Sequence, residues 1–106
     1  MHVPLLITTT LESRADAEKL GTLLLQKRLI ACAQISGPVS SSYWWQGKIV
    51  SAEEYLLTMK SNELRYKELE QVLREAHPYE VPEIIATVIT HLSEGYHQWL
   101  EKELER

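Results

Sequence analysis

The sequence predicts an α+β fold of the ferredoxin-like type, a β-α-β-β-α-β sandwich with an added C-terminal helix. Short runs of branched apolar residues alternate with segments whose apolar residues recur every three or four positions. One hairpin signal, Gln46-Gly47-Lys48, joins the two central strands. The chain has 106 residues, of which 44% are hydrophobic and 25% charged, so we expect one globular domain over residues 1–106.

The first part of the chain predicts a strand, a helix and a second strand. Residues 3–9 are mostly branched or bulky and apolar, which favours a strand. Ser13 resembles a helix N-cap, and apolar residues at helical spacing follow it to about Lys27. Residues 29–35 predict the second strand, and the turn signal Ser36-Gly37-Pro38 is expected to end it.

The central part of the chain predicts a hairpin. Extended structure is expected to resume over residues 39–45 and to turn back at Gln46-Gly47-Lys48. The partner strand then covers residues 49–60, with a bulge expected at residues 51–54, where two glutamates interrupt the apolar pattern.

A second helix is predicted after Ser61 or Asn62, either of which is a suitable N-cap. Its apolar residues form one stripe, made of Leu64, Leu69, Val72, Leu73 and Ala76. The helix is expected to end before Pro78. The following segment, residues 77–82, contains two prolines and predicts a stiff loop.

The last strand is predicted at residues 84–90, and Ser93 is the expected N-cap of a final helix. The apolar face of this helix is predicted to consist of Tyr96, Trp99, Leu100 and Leu104. Consecutive apolar residues in the strands place apolar side chains on both faces of the sheet. Because two helices cover only one face, we expect a closed homo-oligomer, unless the final helix alone covers the second face.

Composition narrows the choice of partners and compartment. The net charge of −4 argues against nucleic acid as a partner, and no apolar run is long enough to span a membrane. The first ten residues lack the basic and apolar regions of a secretory signal. The single cysteine, Cys32, cannot form an internal disulfide, so a reducing, cytoplasmic location is expected.

Three residues are candidate metal ligands. Cys32 offers a soft thiolate, although its position in an apolar strand favours a small, buried core residue with an inert thiol. His77 and Glu80 lie in the proline-rich loop, which would hold an imidazole and a carboxylate close together. The alternative for His77 is a structural hydrogen bond to the backbone. Two ligands make a weak site, so further ligands would come from other subunits.

Aromatic residues near the hairpin suggest either an interface or a ligand cleft. Tyr43 and Trp45 lie on the same side of their strand, and we expect them to anchor contacts between subunits. Together with Lys60 and Tyr79, they would alternatively line an intersubunit cleft for a small anion or nucleotide. No nucleophile motif or acid–base pair accompanies these residues, so the sequence predicts a protein that is not an enzyme.

Three segments of the chain resemble one known family. They are Lys27-Arg28-Leu29-Ile30-Ala31-Cys32, Tyr43-Trp44-Trp45-Gln46-Gly47-Lys48 and His77-Pro78-Tyr79-Glu80-Val81-Pro82-Glu83. In this order and spacing they resemble the CutA divalent-cation tolerance family, and residues 96–99 resemble its C-terminal helix. The resemblance implies a homotrimer of ferredoxin-like subunits, a cytoplasmic location in bacteria, and a link to tolerance of copper and other divalent metals.

The resemblance also implies how a metal would be held. Metal-binding relatives use a cysteine late in the first strand and a second histidine just before the His-Pro pair, where this chain has Thr8 and Ala76. We therefore expect a low-affinity interaction with Cu²⁺ or another divalent cation at or near the subunit interfaces. The alternative function is a signalling module similar to the trimeric PII proteins, which bind effectors in clefts between subunits.

Overall fold

A computed structural model describes residues 1–106 and contains three helices and four strands. In chain order the elements are β1 (Pro4–Leu11), α1 (Arg14–Gln26), β2 (Cys32–Trp45), β3 (Lys48–Asn62), α2 (Glu63–Ala76), β4 (Ile85–Val88) and α3 (Glu94–Glu103). This order confirms the predicted ferredoxin-like α+β sandwich with an added C-terminal helix. None of the three helices combines the length and apolar character that crossing a bilayer requires.

The strands form one antiparallel sheet in the order β2-β3-β1-β4. The central strand β1 pairs with β3 on one side and with β4 on the other. The two outer edges of the sheet belong to different strands, β2 and β4. Neither of these edges pairs with a further strand of the subunit. Each subunit therefore presents two dissimilar rows of free backbone donors and acceptors.

The main core lies between one face of the sheet and helices α1 and α2. It consists of Leu5, Ile7, Leu11, Ala17, Leu20, Leu24, Leu29, Ile30, Leu57, Met59, Leu69 and Leu73. Each fully buried leucine or isoleucine contributes about 1.5–3 kcal/mol relative to exposure. The alternation along β1 and β3 sends every second side chain into this core, which fixes the register of both strands.

All three helices begin at polar caps, as the sequence predicts. Ser13, Asn62 and Ser93 each accept a hydrogen bond from the backbone N–H three residues later. Asn62, rather than Ser61, is the cap of α2. Ser61 is fully buried and its hydroxyl donates to the carbonyl of Leu29 at 2.6 Å.

The predicted course of β2 was wrong at two points, and that of β3 at one. The strand begins at Cys32, not at residue 29, because the chain first turns through Arg28 with φ 56°. It does not end at residues 36–38: Gly37 and Pro38 form a bulge opposite Tyr55, and pairing resumes beyond it. The bulge predicted at residues 51–54 is absent, since that segment pairs regularly with β2.

The outer part of the hairpin projects beyond the rest of the sheet. β1 ends where Leu11 pairs with Tyr55, so residues 39–54 form a two-stranded ribbon, which we call the β-arm. The projection gives the subunit an elongated shape of 44 × 25 × 21 Å. Near its tip, Trp44 is 72% exposed and Ile49 opposite it is 67% exposed.

The second face of the sheet is more polar than predicted. Leu6 and Leu56 are apolar and half-buried there, but Thr8, Thr10 and Thr58 occupy much of the surface between them. Each run of consecutive apolar residues supplies only alternate side chains to this face, so the threonines between the runs dominate it. Helix α3 covers only one end of this face, beside Cys32 and Lys60, and the other side chains of the face remain half-exposed.

Two smaller predictions also need correction. The stripe of α2 is narrower than expected, because Leu64 and Ala76 are exposed and only Leu69 and Leu73 are buried within the helix. The last strand is shorter than residues 84–90 and covers Ile85–Val88. Beyond Val88 one backbone bond to β1 remains, from the N–H of Ile89 to the carbonyl of Pro4.

Candidate functional site

Cys32 lies at the start of β2, on the second face of the sheet. Its Sγ is 3.6 Å from Nζ of Lys60, the residue paired with it on β3, and 4.0 Å from the hydroxyl of Tyr96 on α3. Lys60 also donates to Oε1 of Gln34 at 3.2 Å. The thiol is half-buried and is enclosed by an ammonium and a phenol.

His77 ends α2 and is buried, with both ring nitrogens hydrogen bonded. Nδ1 accepts from the backbone N–H of Tyr79 at 3.1 Å, so the proton of the neutral ring resides on Nε2. Nε2 lies 3.0 Å from both Thr9 Oγ1 and the carbonyl of Thr10. Burial lowers the pKa of His77 below its ordinary value, although the bond to Thr10 works in the opposite direction.

Tyr79 and Glu54 form a second polar contact beside His77. The Tyr79 hydroxyl donates to Oε2 of Glu54 at 2.8 Å, and the tyrosine ring lies 4.8 Å from the His77 ring. Burial raises the pKa of Tyr79, and the Glu54 carboxylate raises it further. Glu54 is itself buried, at the base of the β-arm, whereas Glu80 is exposed on the loop.

Within one subunit the candidate metal ligands do not come together. Cys32 pairs with Lys60 of β3, which in turn pairs with Leu6 of β1. His77 instead binds Thr10, four residues further along β1. At about 3.3 Å per residue, these positions lie about 13 Å apart along the sheet. The chain contains no group of three His, Cys, Asp or Glu side chains arranged to hold a metal ion.

The two positions at which metal-binding relatives are expected to carry further ligands lie apart as well. Thr8 pairs with Thr58 in the middle of the second face of the sheet. Ala76 is the last residue of α2 and is exposed. Neither a hydroxyl nor a methyl group replaces the lost thiolate or imidazole as a ligand for a soft or borderline metal ion.

The residues proposed for an anion or nucleotide cleft are also divided between two regions. Tyr43 and Trp45 are partly exposed near the tip of the β-arm, while Lys60 lies beside Cys32. Tyr79 is closer to the arm, because it binds Glu54 and its pKa responds to Tyr43. A single subunit does not enclose a cleft that all four residues line.

A charged surface cleft of the subunit lies elsewhere. It has a volume of about 810 Å³ and is lined by charged and polar residues that include Lys27, Arg28, Lys102 and Arg106. Two of its four cations are paired, Arg28 with Glu103 and Arg106 with Glu68. None of the candidate ligand residues lines this cleft.

Sequence reasoning missed Glu54, Gln34 and Tyr96 as parts of these clusters. The sequence indicated Glu54 only as one of two adjacent glutamates at a predicted bulge, and Tyr96 as part of the apolar face of the final helix. Strand alternation offers a signal for Gln34, which is two residues from Cys32 and therefore on the same face. The position of Tyr96 depends on how α3 packs, which no local pattern gives.

Comparison with known proteins agrees with the fold over nearly the whole chain. The family model described as "CutA1 divalent ion tolerance protein" matches residues 5–103. The "Divalent-cation tolerance protein CutA" of Thermotoga maritima is 37% identical over 98 residues, which cover 92% of this chain and 96% of that protein.

Solved structures match equally completely. The divalent ion tolerance protein CutA1 from Ehrlichia chaffeensis has a TM-score of 0.95 at 27% identity and covers 100% of this chain and 99% of its own. A structure from Archaeoglobus fulgidus, described as the periplasmic divalent cation tolerance protein CutA, has a TM-score of 0.92 at 30% identity, covering 96% and 99% of the two chains. From the family match and this agreement in fold, the chain belongs to the CutA1 divalent ion tolerance protein family.

Proposed function

We propose that this protein acts in tolerance of divalent metal ions as a homotrimer that binds Cu²⁺ or another divalent cation weakly, at or near its subunit interfaces. The observation that carries the proposal is the family match across residues 5–103. The role is one of binding rather than catalysis.

Three structural features support assembly. The free edges of β2 and β4 differ, so they suit a head-to-tail contact, which forms a ring where the rotation between subunits closes, rather than a symmetric pair. The β-arm is a two-stranded ribbon with exposed aromatic residues, and such a ribbon is marginally stable without further packing. The half-exposed second face of the sheet offers a third surface for a neighbouring subunit.

The arrangement of the candidate ligands supports weak binding. Since Cys32 and His77 are separated within the subunit, a metal ion that uses both would be held between subunits. His77 would also have to exchange a hydrogen bond to Tyr79 or to Thr9 for the metal bond. Exposed Glu80 is free to contribute an oxygen ligand beside it.

Calorimetric titration of the assembled protein with Cu²⁺ tests the metal proposal. We expect a stoichiometric binding event that weakens in Cys32→Ser and in His77→Gln. His91→Gln is the matched control, because His91 is exposed and contacts only its neighbour Thr90 through its ring. Equal loss of heat in the His91 variant, or unchanged heat in both ligand variants, would contradict the proposed ligands.

A cytoplasmic location is part of this proposal and is supported by the single cysteine, which cannot form an internal disulfide. The protein from Archaeoglobus fulgidus is described as periplasmic, so the periplasm is the compartment to test against. Cell fractionation with an antibody against the native chain distinguishes the two compartments. Recovery in the periplasmic fraction would contradict the proposed location.

The second candidate is a module that binds a small anion or nucleotide between subunits, similar to the trimeric PII proteins. The observation in its favour is that Tyr43 and Trp45 are partly exposed along the β-arm and Tyr79 is bonded to Glu54 at its base. In this candidate a neighbouring subunit would supply Lys60 as the cation. A thermal shift screen with nucleotides and inorganic phosphate tests it. A rise in melting temperature that Lys60→Gln abolishes would support this candidate over the metal proposal.

A further inference from the structure

Helix α3 is attached outside the main core of the subunit. Its buried leucine Leu100 and the buried C-cap Leu104 do not belong to the core cluster that joins the sheet to α1 and α2. The aromatic residues of the helix, Tyr96 and Trp99, stack on each other at 5.3 Å and remain partly exposed. The helix therefore depends less on apolar burial than α1 does.

Polar contacts hold α3 in place, with Glu101 at their centre. Its Oε1 accepts from the backbone N–H of His2, and its Oε2 accepts from Nδ2 of Asn62 at 2.9 Å. Asn62 is buried and caps α2, so Glu101 ties together the N-terminal segment, α2 and α3. Two arginines add bonds to backbone carbonyls near the end of the helix, Arg65 to Leu104 and Arg28 to Glu103.

The first turn of α3 covers the pair formed by Cys32 and Lys60. The Tyr96 hydroxyl is 4.0 Å from Cys32 Sγ, and Lys60 Nζ lies 6.0 Å from the centre of the Tyr96 ring. The face of the sheet around this pair is otherwise only half-buried. Movement of α3 would therefore uncover a thiol and an ammonium that lie 3.6 Å apart.

We infer that α3 is a strap, latched by Glu101, that opens locally while the sheet stays folded and thereby controls access to Cys32 and Lys60. Segments with few buried apolar contacts open at lower free energy than the core that supports them. The latch bonds reach from the chain's first residues to α2, so they resist this opening without taking part in the core. The strap operates whether or not the protein binds a metal ion.

Two readouts on the intact, assembled protein test the strap. One is amide hydrogen exchange of α3 against that of β1 and β3, followed by mass spectrometry. The other is alkylation of Cys32 by iodoacetamide under native conditions, which gives one mass shift because the chain has a single cysteine. In the unmodified protein we expect α3 amides to exchange faster than the sheet amides.

Glu101→Ala removes the latch, and Glu94→Ala is its matched control on the same helix, since Glu94 contacts only Gln98 through its side chain. Loss of the Glu101 contacts with His2 and Asn62 should raise both the exchange rate of α3 and the alkylation rate of Cys32 by about tenfold or more. The control should change neither. Unchanged alkylation in Glu101→Ala would overturn the strap, as would equal acceleration of exchange in β1 and β3, which indicates global opening.

Asn62→Asp provides a second test that preserves the cap of α2. Aspartate retains the oxygen that accepts from Arg65 N–H, but it loses the amide donor and places a carboxylate against Glu101. We expect faster α3 exchange and faster Cys32 alkylation, with α2 exchange unchanged. If α2 accelerates as much as α3, the contact is part of the general fold and the strap is refuted.

Discussion

His77 joins the end of α2 to the end of β1 through both of its ring nitrogens. The ring is buried, and the bond from the Tyr79 N–H to Nδ1 requires the neutral form in which only Nε2 carries a proton, whereas the bond from Nε2 to the Thr10 carbonyl survives protonation. Protonation of Nδ1 would place two donors against each other, at Nδ1 and at the N–H of Tyr79. The conformation of the loop therefore depends on the charge of this ring.

Stability should consequently depend on pH through His77. In the unfolded chain the pKa of this histidine is about 6.5, and in the folded protein it is lower. Above about pH 6.5 His77 is neutral in both the folded and the unfolded protein, and its stabilisation is complete. Between that pH and the lower pKa of the folded protein, the unfolded chain binds more protons at His77. Stability therefore falls as the pH falls through this range. Urea unfolding at a series of pH values measures this loss.

The variant His77→Gln serves as the reference for that measurement. It should lower the free energy of unfolding at neutral pH by about 1–3 kcal/mol, because Thr9 and Tyr79 lose buried hydrogen-bond partners. It should also flatten the pH dependence relative to the unmodified protein. An identical pH profile in both proteins would mean that His77 does not control it.

The sequence indicated which individual side chains merit attention but not what they contact. The prolines around His77 correctly predicted a loop after α2. For His77 itself, the sequence left a metal ligand and a structural hydrogen bond as alternatives. The partners Thr9 and Thr10 lie more than sixty positions away in the chain. Only the packing of α2 across β1 brings them together.

At the scale of elements, the bulge in β2 depends on Gly37. Its φ of 141° is unfavourable for other residues, and a Cβ there would lie 2.9 Å from Tyr55 Cδ2 and 3.0 Å from the carbonyl oxygen of Glu54. The sequence signal at residues 36–38 was real but was interpreted as the end of a strand. Local turn chemistry is the same for a turn and for a bulge, and only the pairing with β3 distinguishes them.

Gly37→Ala should therefore destabilise the protein, and Gly95→Ala offers a comparison at an open site. We expect the first to cost about 1–3 kcal/mol, because backbone strain and steric overlap add. The second should stabilise by about 0.5–1 kcal/mol, since Gly95 lies in α3 with nothing within 4 Å of an added methyl group. Denaturant unfolding compares them, and equal effects would contradict the role of Gly37.

The β-arm is the element with the least packing inside the subunit, since it is a two-stranded ribbon with exposed aromatic residues. If Trp45 anchors contacts between subunits, Trp45→Ala should shift the assembly toward smaller species and weaken it by about 2 kcal/mol or more. Analytical ultracentrifugation measures the shift. Lys48→Ala is the control, because Lys48 pairs with Trp45 across the hairpin. Unchanged sedimentation of the Trp45 variant would show that the indole does not hold subunits together.

At the scale of the whole molecule, the element order and the identity of the core were predictable because helical and strand periodicities are strong in α1, β1 and β3. The expectation of an oligomer rested on two apolar sheet faces. The second face has more threonine than expected, so the free strand edges and the β-arm now provide the stronger argument.

Melting should depend on protein concentration if the subunits stabilise one another. A higher concentration favours the assembled, folded form by mass action, so the melting temperature should rise between about 1 and 100 µM. Calorimetry at several concentrations, with light scattering to report molecular mass, measures both quantities. A constant melting temperature together with the mass of one subunit would contradict the proposed homotrimer.

The β-arm also has a consequence for biosynthesis. Its two strands adjoin in sequence and are joined by the short turn at Gln46 and Gly47, both with positive φ, so the ribbon can close while the chain is still emerging from the ribosome. β4 and α3 are made later. Each nascent chain thus carries an uncovered, tryptophan-tipped ribbon, and the local supply of sister chains determines how long it stays open to chaperones and to aggregation.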